Sequence, residues 1–73
     1  MKLHYYPETD SLYVEFQDRP STETREIVPG VLLDLDSDGH PVGLDIDRAS
    51  TFLDLNAIET IGLPAKRTSV IAE

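Results

Sequence analysis

From Gly30 to Asp47 the chain reads Gly-Val-Leu-Leu-Asp-Leu-Asp-Ser-Asp-Gly-His-Pro-Val-Gly-Leu-Asp-Ile-Asp, two alternating apolar runs on either side of Asp38-Gly39. Alternation with period two marks strands with one buried face. An Asp-Gly pair between such runs predicts a two-residue hairpin turn, because type I′ needs positive φ at both central positions. That register opposes Ser37 to His40, Leu35 to Val42, Leu33 to Leu44 and Val31 to Ile46, so one face is wholly apolar. A three-residue loop would set Leu33 and Leu35 against Gly43 and Pro41, since a slip of one residue turns a strand over. An even-numbered loop is therefore expected, of two residues or else of four. In the two-residue register Asp36 and Pro41 form a non-hydrogen-bonded pair, and the N–H that Pro41 lacks would point away from its partner. Proline is tolerated there, which places the start of this strand on an open sheet edge.

Upstream, Leu3 and Tyr5 alternate with Lys2, His4 and Tyr6, and Leu12, Val14 and Phe16 alternate with Tyr13, Glu15 and Gln17. The turn residues Pro7-Glu8-Thr9-Asp10-Ser11 lie between these runs, which are expected to pair as a first hairpin. Asp18-Arg19-Pro20-Ser21-Thr22 then turns the chain. Thr24 to Val28 is extended but weakly patterned, either a short edge strand or the start of a third strand interrupted at Pro29-Gly30. Val28 is biased toward β conformation by the proline after it, and Gly30 can supply a bulge or bend.

After Asp47 the period lengthens. Phe52, Leu55, Ile58 and Ile61 are spaced near three, Asn56 with Glu59 resembles a capping box, and Gly62 with Pro64 is a stop signal. A helix from Ala57 to Ile61 is expected, with Ser50 to Asp54 as a preceding turn, and so short a helix must pack its apolar face on the sheet. Residues 65–73 have no period and are expected to form a flexible tail, from which Val70 and Ile71 can add to an edge or a partner. The fold expected is a single α+β domain over residues 1–64, an antiparallel meander of about four strands with a short C-terminal helix packed on one face.

A chain of 73 residues is one domain with a marginal core, since folding buries only roughly 60% of the unfolded surface at this size. No cysteine is present to supplement that core with a disulfide or a thiolate metal site, so self-association is a reasonable way to bury more apolar surface. Fourteen Asp and Glu against six Lys and Arg give a formal net charge of −8. Nucleic acid is an unfavourable partner for such a chain, whose one tight basic cluster is Lys66-Arg67. The N-terminus turns polar at once and no run approaches the ~20 apolar residues of a membrane span, so a soluble cytoplasmic protein is expected.

Several side-chain groups are candidates for chemistry. Asp34, Asp36, Asp38, Gly39 and Asp45 have the spacing of an EF-hand calcium loop, but strands flank them where that motif needs helices, and Asp45 stands where a longer Glu closes the site. A row of solvated carboxylates is the simpler reading, with weak divalent-metal or ligand binding by the acidic hairpin 34–47 as the alternative. A catalytic carboxylate pair needs a cleft to push its pKa values apart, and Asp34 opposite Gly43 with Asp45 opposite Leu32 keeps the acids from facing one another. His4 and His40 read as surface or partly buried imidazoles, and Ser11, Ser37, Ser50 and Ser69 as turn, cap or tail residues. No catalytic, cofactor-binding or metal-binding residue is assigned, and an enzyme is not expected. Tyr13 and Leu32, on the face opposite Val14 and Leu33 with Tyr6 and His4 beside them, form the candidate interaction patch.

Met1 to Tyr5, Pro7 to Val14, Thr24-Arg25-Glu26, Pro29 to Asp34, Asp38-Gly39 with Val42-Gly43-Leu44, and Asp47 to Ser50 together resemble the domain-of-unknown-function family 2283, with Asp45 standing where that pattern has Glu. The resemblance spans about residues 1–50 and implies a compact, strand-rich domain with no assigned reaction or site residues. Toxin-like neighbours of some relatives imply an antitoxin role as one form of it. The function expected is a non-enzymatic protein-interaction module whose partner is itself, as a homodimer through the open edge or the Tyr13/Leu32 face, or another protein.

Overall fold

The computed structural model describes residues 1–71. They form β1 (Lys2–Tyr6), β2 (Ser11–Glu15), β3 (Glu23–Val28), β4 (Val31–Leu35) and β5 (Pro41–Ile46), followed by a single 3-10 turn, Ala49–Thr51. All five strands join one antiparallel sheet in the order β1-β2-β5-β4-β3. The fold is therefore all-β, which corrects the expected α+β class on two counts. There is no C-terminal helix among the described residues, and the order is not a meander, because β2 pairs with β5 rather than β3.

The missing helix has a physical cause. Between Asn56 and Gly62 the segment is too short to nucleate a helix alone, and Ile58, Thr60 and Ile61 are β-branched. Asp54 competes for the backbone as well, its Oδ1 accepting from the Asn56 N–H at 3.0 Å in a local turn. Phe52, Ile58, Ile61 and Leu63 are left exposed. The end of the expected tail, Ala72 and Glu73, lies outside the described residues.

The central hairpin forms, with a different loop. The Asp36 N–H donates to the His40 carbonyl at 2.9 Å and the Gly39 N–H to the Asp36 carbonyl at 3.0 Å, so Ser37, Asp38 and Gly39 make a three-residue loop with Gly39 at φ +81°. Leu35 accordingly opposes Pro41. The register then shifts, with Val42 as the extra residue, so that Asp34 opposes Gly43, Leu33 opposes Leu44 and Val31 opposes Ile46. The bulge absorbs the odd residue of the loop and keeps the alternation in phase. Pro41 opens a strand that lies between β2 and β4, not on a sheet edge as expected; being the first residue of β5, it removes no ladder bond from the strand interior.

Thr24 to Val28 belongs to a separate edge strand. It turns into β4 through Pro29-Gly30, with Gly30 at φ +86°, the pattern of a type II turn, and a register shift between Glu26 and Val28 leaves Ile27 as the irregular residue. The first hairpin pairs as expected, Leu3 with Val14 and Tyr5 with Leu12.

Register sorts the side chains onto two faces. One face carries Tyr5, Leu12, Ile46, Val31 and Val28 in one row and Leu3, Val14, Leu44, Leu33 and Arg25 in the next. The 3-10 turn and Leu55 close over the first row, and Leu12, Ile46 and Ala49 form the packed cluster. Leu35 and Val42 are buried at the loop end of the hairpin. Among the described residues no large side chain is fully buried. Among the described residues no helix is long and apolar enough to cross a membrane.

Candidate functional site

The second apolar row is the surface left without a lid. Val14, Leu33 and Leu44 are only partly buried, and Leu3 at its end is 48% exposed. These side chains share one face because the three strand pairings that connect β1, β2, β5 and β4 stay in phase along this row. Tyr5 and Val28, at the two ends of the neighbouring row, are exposed as well. Glu23 and Arg25, paired to one another by an ion pair, form its charged rim on β3.

The opposite face is acidic, and both carboxylate oxygens of Asp34 on it are occupied. Tyr13, on β2, crosses over Gly43 and its Oη donates to Asp34 Oδ2 at 2.9 Å. A Cβ on Gly43 would lie 2.0 Å from that hydroxyl, so the glycine is the space the tyrosine needs. Thr24 Oγ1 donates to the other oxygen of Asp34 at 2.6 Å. Burial and the charge of Asp34, reinforced by Glu15 and Asp45, push the Tyr13 phenol up to about 12. His4 sits 3.7 Å from Glu15 through Nε2 and 6.4 Å from the Tyr13 ring. Tyr13 and Leu32 thus share a face as expected, with Asp45 between them, but Tyr13 is partly buried and pinned. An open depression beside them is lined by Ser11, Glu26, Gly30, Leu32, Asp45 and Asp47.

The acidic loop is a ribbon tip. Asp36, only 7% exposed, accepts from the N–H groups of Asp38 and His40 through Oδ1, both at 2.9 Å, and meets Arg19 Nη1 at 3.3 Å through Oδ2. These hydrogen bonds, the one from His40 foremost, hold its carboxyl below the ordinary value. Asp36, Asp38 and His40 bring possible ligand atoms within 4.8 Å of one another. Asp34 and Asp45 stand on the acidic face instead, so the EF-hand spacing does not converge.

Sequence reasoning missed Asp10. It adopts φ +53° at the first turn, and its carbonyl accepts from the Ala49 N–H at 2.8 Å. Its carboxylate accepts from Ser50 Oγ at 2.6 Å and Tyr5 Oη at 2.7 Å. The Ser50 hydroxyl, then Tyr5, lowers the Asp10 pKa, while the same contact raises that of Tyr5. This latch ties the 3-10 turn to the first hairpin. Its one local signal is an Asp in a turn, and the partner lies forty residues away. Of the other serines singled out, Ser11 accepts from Thr9 Oγ1 in the same turn, and Ser37 belongs to the three-residue loop.

These features define a class: a small one-layer antiparallel domain whose best-placed carboxylates brace turns and strands. The chain belongs to the family described as protein of unknown function (DUF2283), whose model matches residues 2–50. The match takes in all five strands and ends inside the 3-10 turn at Ser50. No curated protein and no solved structure matches the chain.

Proposed function

We propose that the protein is a non-enzymatic interaction module that holds another protein on the apolar face of its sheet. The observation that carries this reading is the open row of Leu3, Val14, Leu33 and Leu44, apolar surface in the middle of a sheet where a folded domain ordinarily places its second layer. The roles of Asp10, Asp34 and Asp36 support it, since each spends its oxygens on structural donors. The Tyr13/Leu32 patch is not the docking surface in this reading, because Tyr13 is committed to Asp34. An antitoxin-like role in the cytoplasm would be one form of such a module.

The test compares wild type with Leu3→Glu on the open row and Leu32→Ser on the other face, in self-association and in capture of host proteins. Association that is lost with Leu3→Glu and kept with Leu32→Ser is expected. A wild-type chain that neither self-associates nor captures any protein, or binding that survives Leu3→Glu, contradicts the reading.

Weak divalent-cation binding at the acidic hairpin is the second reading, favoured by the approach of Asp36, Asp38 and His40. It requires Asp36 to exchange two backbone N–H groups and Arg19 for the ion. Calorimetry with calcium against Asp36→Asn decides it, and absence of heat up to millimolar cation ends it.

A further inference from the structure

The chain exposes more surface than a compact monomer of its mass. Its accessible area is 6162 Å², whereas a folded monomer of 8.1 kDa exposes about 4,500 Å², an excess of about 1,700 Å². Its radius of gyration, 13.1 Å, exceeds the ~11 Å of a compact domain of this length. Most of the excess lies in the segment after the 3-10 turn, where Ile58, Ile61, Leu63, Val70 and Ile71 are exposed, and the open row adds the half-exposed Leu3 and the partly buried Val14, Leu33 and Leu44.

We propose that the occupant of the open face is a second copy of this chain, the two sheets packing face to face around a two-fold axis so that each supplies the other's missing layer. The proposal rests on the interaction-module reading and names its partner. The distribution of charge favours this occupant. With a net charge of −8, two copies repel, yet Glu15, Glu26, Asp34 and Asp45 all stand on the face that such a dimer turns outward. Among the described strand residues, the charged side chains of the inner face are the mutually paired Glu23 and Arg25 at its rim. A patch of aliphatic side chains without polar atoms is self-complementary and meets itself under a two-fold axis without burying an unpaired group. Pairing through a sheet edge is the weaker arrangement. The outer strand β3 carries Glu23, Arg25 and Glu26, charges of the kind that protect edges.

Light scattering on the full chain at tens of micromolar tests this, with Leu3→Glu, Val14→Lys and Leu32→Ser beside the wild type. The expected result is a wild-type mass twice 8.1 kDa, self-association weakened on the order of thirtyfold or more by Leu3→Glu or Val14→Lys, and an unchanged dimer with Leu32→Ser. Should Val14→Lys fail to fold, Leu3→Glu still decides, because that side chain is already half exposed. In a mixture of labelled and unlabelled copies, intermolecular nuclear Overhauser effects between methyl groups of Val14, Leu33 and Leu44 are expected. A folded monomer, a dimer indifferent to both charged variants, or intermolecular effects confined to β3 would overturn the proposal. A monomeric wild type that holds a different protein through the Leu3 row overturns only the second copy as occupant and leaves the interaction module standing.

Discussion

Asp36 shows how one carboxylate can look like chemistry and act as structure. Replacing it with Ala leaves the N–H groups of Asp38 and His40 and the Arg19 guanidinium without their acceptor, at an expected cost of about 2 kcal/mol read from denaturant midpoints. Its carboxyl and that of Asp10 sit below their ordinary value of 3.8 in the folded chain. A depressed carboxyl stabilises the fold fully above its unfolded pKa and loses that contribution as pH falls through the folded one. Stability should therefore drop with acid below about pH 4, and Asp36→Asn should flatten the drop. Tyr13 works in the opposite direction. Its phenol, raised to about 12, favours folding at neutral pH and loses that contribution as pH rises from 10.0 through the folded value. Tyr13→Phe should cost about 1 kcal/mol and reduce the alkaline dependence, to which Tyr5 also contributes. Gly43→Ala should cost about 1–3 kcal/mol in the wild type and much less when Tyr13 is already Ala, a coupling that a double-mutant cycle measures.

At the level of elements, Gly39 and Ser50 make the clearest tests. Gly39→Ala places a side chain at φ +81° in the hairpin loop and should lower stability by about 1 kcal/mol. Ser50→Ala removes the hydroxyl from Asp10 and should speed amide exchange in the 3-10 turn while leaving the β4–β5 ladder protected. The strands themselves were legible, because Leu3 to Tyr5, Leu12 to Phe16 and Val31 to Ile46 alternate and alternation is a local property. The acidic face opposite Val14 and Leu33 followed from the same parity. Loop length was not legible: Asp38-Gly39 also suits a three-residue loop with glycine in the left-handed region, and the bulge at Val42 cancels the phase error that argued against it. The three-residue spacing of Phe52 to Ile61 misled for a different reason, since a helical period in so short a segment needs a packing partner to become a helix. Strand order and the Asp10–Ser50 latch depend on residues distant in sequence, and no local pattern encodes them.

For the whole molecule, a sheet of five strands with one face incompletely covered has a small core, Leu12, Leu35, Val42, Ile46 and Ala49 among the described residues. In the proposed dimer the acidic face stays in water and the aliphatic row meets a second layer. This view ties stability to concentration, because a dimer that folds by associating unfolds at a midpoint that rises with protein concentration. The most direct measurement is the solution mass of the wild-type chain beside Leu3→Glu. A doubled mass that the charged side chain halves is the predicted result, and a folded wild-type monomer that binds no protein on that row would contradict it.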